Sequence, residues 1–249
     1  MVNFWLVVNK VINDADIILL VLDSRFIDET RHEEIERKVK ELRKPLIYVM
    51  TKCDLVDKSK LEKSKKNLNP SVFVSSKEHL GTTLLRERIF IEAKKAGIRR
   101  MIKIGVLGYP NVGKSSLINA MKGRSVAPTS ILSGYTKNVQ KVVVDNRLIF
   151  LDTPGVIPFQ DKDRLKHTFI GTIDFTRSRD PEMIVFELME KFPGKIEHFY
   201  GVEVGDDGEI TLEKIAKKKN MLKRGGELDT KRMATVILKD WQKGEIDLR

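Results

Sequence analysis

A glycine-rich stretch near the middle of the chain, residues 108–116, limits the possible folds more than any other feature. It matches the pattern G-x-x-x-x-G-K-[ST] and lies between an apolar run, Met101 to Leu107, and a helix-like run. In such a loop the backbone N–H groups converge on phosphate oxygens, and the following helix adds its positive dipole end. Lys114 would reach the outer phosphates, and the Ser115 hydroxyl would hold Mg²⁺. The sequence therefore predicts a phosphate site that uses Asn111, Val112, Gly113, Lys114, Ser115 and Ser116.

The remaining composition is that of a charged globular protein. With 249 residues, the chain is long enough for one α/β domain and a small second one. No apolar run approaches the roughly 20 residues that span a bilayer, and the N-terminus fits neither a signal peptide nor a transit peptide. The single cysteine, Cys53, excludes an internal disulfide and a cysteine-cluster metal site. We expect a cytoplasmic monomer with no membrane partner.

The net charge of +11 lies in residues 1–165, whereas residues 166–249 hold equal numbers of acidic and basic side chains. The basic excess therefore falls on the part that contains the phosphate site, where it could face a polyanion. Lys-rich surfaces are also common in heat-adapted proteins. Charge alone leaves nucleic-acid binding open.

Helix and strand patterns alternate ahead of the loop. The strand pattern at Asp16 to Asp23 is a continuous apolar run, which is typical of a strand buried on both faces of a parallel sheet. Around it the sequence predicts helices at residues 2–13, about 29–42 and about 82–96, and further strands at 46–50 and 71–74. We expect a parallel-rich sheet flanked by helices.

Two of these strands end in side chains suited to a guanine base. The first delivers Thr51-Lys52-Cys53-Asp54, and the second leads to Ser75-Ser76-Lys77. Asp54 can accept hydrogen bonds from the ring N–H and the exocyclic amine of guanine, while the Lys52 stem lies along the base plane. Small residues at 75 and 76 let a backbone N–H approach the base carbonyl. Each pattern alone is weak; beside the phosphate loop they predict a base site of Thr51, Lys52, Asp54, Ser75, Ser76 and Lys77.

A second acidic strand end follows the loop. Two strand patterns, 140–144 and 147–151, precede Asp152-Thr153-Pro154-Gly155. Asp152 is placed to hold a Mg²⁺-bound water, and Gly155 can offer its N–H to a γ-phosphate. The stretch 124–141 between loop and strands holds basic but no acidic residues, which suits a mobile loop beside phosphates.

The order of the motifs is reversed relative to ordinary small GTPases, because the base motifs precede the phosphate motifs. In this the chain resembles the YlqF/YawG family of circularly permuted ribosome-assembly GTPases, over nearly its whole length. Asp23-Ser24-Arg25 resembles the family's D-A-R motif, and residues 133–136 resemble its P-G-x-T switch element with Ser133 in place of proline. Residues 225–229 resemble the close of its C-terminal domain.

The resemblance implies a circularly permuted P-loop GTPase domain at residues 1–165 and a small helical, RNA- or ribosome-binding domain at 166–249. It implies a Mg²⁺ site of Ser115, Thr136 and Asp152, and a catalytic set of Lys114, Asn111, Thr136 and Gly155. Thr51 departs from the usual asparagine of N-K-x-D, so guanine selectivity would depend more on Asp54 and Ser76.

Two further positions bear on hydrolysis. Val156 follows the D-T-P-G motif where small GTPases keep a glutamine that orients the attacking water, so unassisted turnover should be slow. Asn111 matches the asparagine that in related GTPases helps to hold K⁺ against the phosphates. An extra cation there would neutralise transition-state charge; simple stabilisation of the turn is the alternative role of Asn111.

The sequence thus predicts a GTP-hydrolysing switch that binds GTP/GDP with Mg²⁺ and K⁺, and whose GTP form binds a precursor of the large ribosomal subunit or its rRNA. The alternative is a regulatory GTPase with a protein or a non-ribosomal RNA partner. In the C-terminal part, a basic cluster at residues 214–224 could meet RNA phosphates or form an ordinary solvated helix face.

Overall fold

The computed structural model describes residues 4–65, 68–123, 139–155, 167, 170 and 180–246. The chain forms two compact units, residues 1–162 and 163–249, which are described separately below. The boundary predicted at residues 165 and 166 lies outside the described residues.

Unit 1 is organised around a six-stranded sheet of order β3-β2-β1-β4-β6-β5. Every neighbouring pair is parallel except β5 and β6, which run antiparallel. All seven residues of β1 are buried, as the apolar run predicted for a strand covered on both faces. The strands are β1 (Ile17–Asp23), β2 (Leu46–Thr51), β3 (Ser71–Val74), β4 (Ile102–Leu107), β5 (Gln140–Val143) and β6 (Leu148–Asp152).

The helices described in unit 1 are α1 (Phe4–Asp14), α2 (Ile27–Thr30), α3 (Glu33–Glu41), α4 (Lys58–Lys65), α5 (Thr82–Lys95) and α6 (Lys114–Lys122). The single helix predicted at about 29–42 is wrong, because the chain is extended at Arg31 and forms two helices there. The break has a tertiary cause. The Thr30 hydroxyl donates to the Phe26 carbonyl at 2.6 Å and accepts the Asp23 N–H at 3.1 Å, which ties the end of α2 to the end of β1.

Helix α1 packs closely on the sheet because β4 carries a glycine at the contact. A Cβ atom at Gly105 would lie 2.9 Å from Val11 Cγ1 and 3.0 Å from Ala15 Cβ, so a larger residue would push the helix away. The buried side chains of α1 each contribute about 1.5–3 kcal/mol on transfer from water. The Lys44 ammonium closes the end of this helix by donating to the carbonyls of Asn13 (2.8 Å) and Ala15 (2.6 Å).

Unit 2 is helical in its described part, with α7 (Pro181–Lys191), α8 (Lys195–Tyr200), α9 (Gly208–Lys218) and α10 (Thr230–Lys243). Asp180, Asp207 and Asp229 cap α7, α9 and α10 with side-chain oxygens that accept backbone N–H groups. The apolar stripes of α7 and α10 meet in a buried core, where the Phe192 and Trp241 rings lie 5.1 Å apart. Within the described ranges, every helix is too short or too polar to cross a lipid bilayer.

Candidate nucleotide-binding site

The two base motifs, the phosphate loop and the D-T-P-G motif meet at one edge of the sheet of unit 1. Strands β1, β2, β3, β4 and β6 are parallel, so their carboxyl ends lie on the same side. The register pairs Asp23 with Thr51, Thr51 with Val74, and Val106 with Asp152. Residues from both halves of unit 1 are thereby brought to the edge where ligands bind in open α/β sheets.

The phosphate loop, residues 108–116, requires glycine at two positions. Gly108 and Gly113 have φ angles of 149° and 100°, which side chains rarely permit. A Cβ atom at Gly108 would also lie 2.4 Å from the Val21 carbonyl oxygen, so the loop passes directly against β1. Asn111 has φ 59°, a left-handed conformation that asparagine tolerates better than most residues. The sequence pattern is therefore a geometric requirement of the loop.

Lys114, the first residue of α6, folds back across this loop. Its buried Nζ donates to the carbonyl oxygens of Gly108 at 3.1 Å and Tyr109 at 2.6 Å. Burial lowers the pKa of Lys114 to about 8, and the nearby Asp152 charge opposes that shift only in part. The hydrogen-bond partners of this ammonium are neutral carbonyl oxygens, and a phosphate group would give it a negatively charged one.

Ser115 and Asp152 form the part of the predicted Mg²⁺ site that the structure describes. The Ser115 hydroxyl donates to Asp152 Oδ2 at 2.8 Å. Asp152 is buried, and its Oδ1 has no hydrogen-bond partner among the described residues. Burial raises the pKa of Asp152, because the Ser115 and Lys114 interactions do not compensate fully. A hydroxyl and an unsatisfied carboxylate oxygen are donors that suit Mg²⁺, so these two residues fit the ion.

The segment after β6 lies against the phosphate loop. A Cβ atom at Gly155 would be 2.3 Å from Pro110 Cα and 2.5 Å from Pro110 N, so no larger residue fits there without moving one of the two segments. Thr153 fixes the approach by donating from Oγ1 to the Val106 carbonyl at 2.6 Å. Gly155 is thus next to the loop, as its predicted role in contacting phosphate requires.

Thr51 links the base motif to the phosphate loop. Its hydroxyl lies between the carbonyl oxygens of Leu22, at 2.9 Å, and Val112. A Cβ atom at Gly113 would lie 3.4 Å from this hydroxyl. A threonine at the position where N-K-x-D has asparagine therefore still reaches the loop, which the sequence alone did not reveal.

The remaining base residues lie on two neighbouring loops. Asp54 is half-buried in a short 3₁₀ turn, Cys53–Leu55. The buried Ser75 accepts the Glu78 N–H on its Oγ at 3.0 Å and pairs its backbone with Leu80, so its hydroxyl shapes the loop. Ser76 is half-buried and Lys77 exposed. The structure describes these positions, while their contacts to a base stay predictions.

Several sequence predictions lie outside the described residues: most of the loop predicted at 124–141, with the switch element at 133–136 and its Thr136, and Val156. The structure also brings to this edge a residue that the sequence analysis named only for its family resemblance. Asp23, buried at the end of β1, accepts from Lys52 Nζ at 2.7 Å. The signal that could have found it is a carboxylate at the end of an otherwise apolar strand.

Several known proteins are similar to this chain. A family model described as 50S ribosome-binding GTPase matches residues 103–199. An uncharacterised GTP-binding protein of Methanocaldococcus jannaschii is 40% identical over 97% of this chain and 65% of its own length. Nucleolar GTP-binding protein 2 of Yarrowia lipolytica is 32% identical over 98% of this chain and 50% of its own length. GNP-bound YlqF from T. maritima aligns with 97% of this chain and 94% of that chain, with a TM-score of 0.66 and 21% identity.

The chain thus spans about half to two thirds of the length of these two curated relatives. At 21% identity the likeness to YlqF shows a shared fold, which extends over 97% of this chain. The predicted fold class and the predicted resemblance to the YlqF/YawG family are confirmed. Sheet topology, motif order and these comparisons together show a circularly permuted P-loop fold like that of YlqF, in a chain whose sequence relatives are named GTP-binding proteins.

Proposed function

We propose that the protein is a GTP-hydrolysing switch in the assembly of the large ribosomal subunit, and that its GTP form binds the precursor particle or its rRNA. The observation that carries the proposal is the direct contact between the two motif sets. Lys52 donates to the Asn111 carbonyl at 3.0 Å, and the Thr51 hydroxyl lies against the Val112 carbonyl. A nucleotide with its base at Asp54 and its phosphates on the loop would span this junction.

Each residue of the proposed site has a distinct role in binding or hydrolysis. Asp54 selects guanine, the loop amides and Lys114 bind the phosphates, and Gly155 offers its N–H to the γ-phosphate. Ser115, Asp152 and Thr136 would hold Mg²⁺, which supplies positive charge to the outer phosphates when bound. Val156 has no hydrogen-bonding group with which to orient water, so a partner has to accelerate hydrolysis.

Support for a ribosomal role comes from charge and from the names of relatives. The family description reads 50S ribosome-binding GTPase, and the basic excess of the chain lies in residues 1–165. Other relatives are named nucleolar, which leaves the compartment a prediction, with the cytoplasm favoured by the sequence. We further propose that the protein is a monomer.

Five of the six basic residues in the cluster at 214–224 of unit 2 fall into two groups. Lys218 donates to the Gly201 carbonyl and Lys219 lies over the Tyr200 ring at 5.4 Å, so these two lysines stabilise the fold. Lys217, Lys223 and Arg224 are exposed, and within the described part of the chain their side chains form no hydrogen bond, ion pair or ring contact. The second group is the better candidate for RNA phosphates, because nothing in the described fold employs its charges.

Co-sedimentation tests the proposal. With a non-hydrolysable GTP analogue, we expect the protein to sediment with large ribosomal subunits or their precursors, and to remain in the supernatant with GDP. Replacing Lys217, Lys223 and Arg224 by alanine should weaken binding. The slope of log affinity against log salt concentration should become shallower by about 0.7–0.9 for each lost phosphate contact. A matched variant with alanine at the exposed residues Lys231, Arg232 and Lys239 should bind as wild type does. Equal sedimentation with both nucleotides, or none, would favour the regulatory alternative.

We further propose that Asn111 contributes an amide oxygen to a K⁺ site beside the phosphates. GTP turnover should then be about tenfold faster in KCl than in NaCl, because the smaller ion fits the same oxygen cage poorly. Asn111→Ala should remove that difference and leave GTP binding largely intact. Equal rates in the two salts for wild type would leave Asn111 as a turn residue with φ 59°.

A further inference from the structure

The buried carboxylate of Asp23 begins a chain of contacts that ends on the phosphate loop. It accepts the Arg25 backbone N–H at 3.0 Å and two guanidinium hydrogen bonds from Arg25, at 3.0 and 2.9 Å. Its Oδ2 also accepts from Lys52 Nζ at 2.7 Å. The same Nζ donates to the Asn111 carbonyl at 3.0 Å. One ammonium group therefore joins the end of β1 to the loop.

Asp23 is itself fixed from the backbone side. Its N–H donates to the Thr30 hydroxyl at 3.1 Å, and the strand register aligns it with Thr51, next to Lys52. Lys52 has φ 55° and Asn111 has φ 59°, so both partners hold conformations that need support from their surroundings. Charge-assisted hydrogen bonds to a buried carboxylate are strong enough to supply it.

The charges make Asp23 necessary to this arrangement. Arg25 and Lys52 both approach one carboxylate that is 0% exposed. Without the carboxylate, two cations would face each other in a poorly solvated place, and Lys52 would turn towards solvent. The Asn111 carbonyl would then lose its ammonium donor.

We propose that Asp23 is a positioning residue of the nucleotide site: it holds the Lys52 ammonium against the Asn111 carbonyl and thereby fixes the shape of the phosphate loop. Asp23 acts through Lys52 and does not itself touch the nucleotide. The inference rests on the proposed function only where guanine nucleotide serves as the probe.

A double-mutant cycle tests this relay of contacts from Asp23 through Lys52 to the Asn111 carbonyl. In the otherwise wild-type chain, Asp23→Asn should weaken GDP binding about tenfold, the size of one charge-assisted hydrogen bond. In the Lys52→Met background the same substitution should change GDP affinity less than about twofold, because the relay is already broken. An equal loss in both backgrounds would show that Asp23 acts through stability alone and would overturn the relay.

Asp16→Asn is the matched control. Asp16 precedes β1 at the opposite end, and its carboxylate likewise accepts from an arginine, Arg100 (2.6 and 2.9 Å), and from a backbone N–H, Lys103 (2.9 Å). This variant should bind GDP as wild type does. If Asp23→Asn does not fold, Asp23→Glu keeps the charge but displaces Lys52 by one methylene. It should show the same non-additivity with Lys52→Met.

Hydrogen exchange of the loop amides, residues 108–113, in the nucleotide-free protein separates the relay from the proposed function. Both Asp23→Asn and Lys52→Met should accelerate exchange there, and Asp16→Asn should not. This measurement needs no nucleotide. It therefore tests the relay even if the wild-type protein shows no preference for GDP over ADP, a result that would refute the proposed function. Unchanged loop exchange in a folded Asp23→Asn variant would refute the relay.

Discussion

Replacing Asp54 by asparagine should lower the affinity for GDP and GTP about 100-fold and raise the relative affinity for xanthosine nucleotides. The carboxylate is expected to accept two hydrogen bonds from guanine, and leaving buried donors unpaired costs several kcal/mol. Xanthine carries an oxygen where guanine carries its amine, and that oxygen can accept from the new amide. Competition of GDP, XDP and ADP against a fluorescent nucleotide measures the change.

Asp28→Asn provides the control for this experiment, because Asp28 is an exposed carboxylate on α2 of the same unit. It should leave the order of the three nucleotides unchanged. ADP should not gain from Asp54→Asn, since adenine lacks the 2-oxo group. Unchanged GDP affinity in a folded Asp54→Asn protein would remove this residue from the base site.

The sheet was predictable from sequence because its strands are buried on both faces. A run such as Ile17–Asp23 leaves no room for polar residues until its end, so composition alone marks it as a strand. The break between α2 and α3 was not predictable. It depends on a hydrogen bond from Asp23 to Thr30, and hydrophobic periodicity contains no information on that contact.

The candidate site was likewise predictable from sequence only in part. Gly113, Lys114 and Ser115 were found from sequence because phosphate chemistry requires those residue types at that spacing. The role of Asp23 depends on the parallel register that aligns it with Thr51, and on a lysine 29 positions away that reaches both Asp23 and the loop. Such a relay exists only after the sheet has formed, so no local pattern could predict it.

Lys114 should make GDP affinity fall as the pH rises above about 8. Burial lowers the pKa of Lys114 to about 8 in the nucleotide-free protein, whereas bound phosphates would favour its charged form and raise the pKa. Binding therefore takes up a proton between pH 8 and the higher pKa of the complex. In that window the affinity should fall about tenfold per pH unit.

The same group should change stability with the opposite sign. Its folded pKa of about 8 lies below the ordinary lysine value of 10.5, so above pH 8 the unfolded chain binds more protons than the folded one. Below pH 8 both states are protonated and the cost of burying the charge is constant. From pH 8 to about 10, Lys114 therefore adds roughly 1.4 kcal/mol of stability per pH unit in the absence of nucleotide.

Lys114→Met separates these effects from other groups that titrate in the same range. The variant should bind GDP about 100-fold more weakly than wild type at pH 7, and its affinity should show no break near pH 8. As the pH rises, the unfolding free energy of wild type should increase relative to that of the variant. Over the same range, the GDP affinities of the two proteins should become more alike. Lys103→Met, an exposed lysine on β4, should retain both wild-type profiles. Parallel pH profiles for wild type and Lys114→Met would show that Lys114 stays charged throughout and that the loop amides alone hold the phosphates.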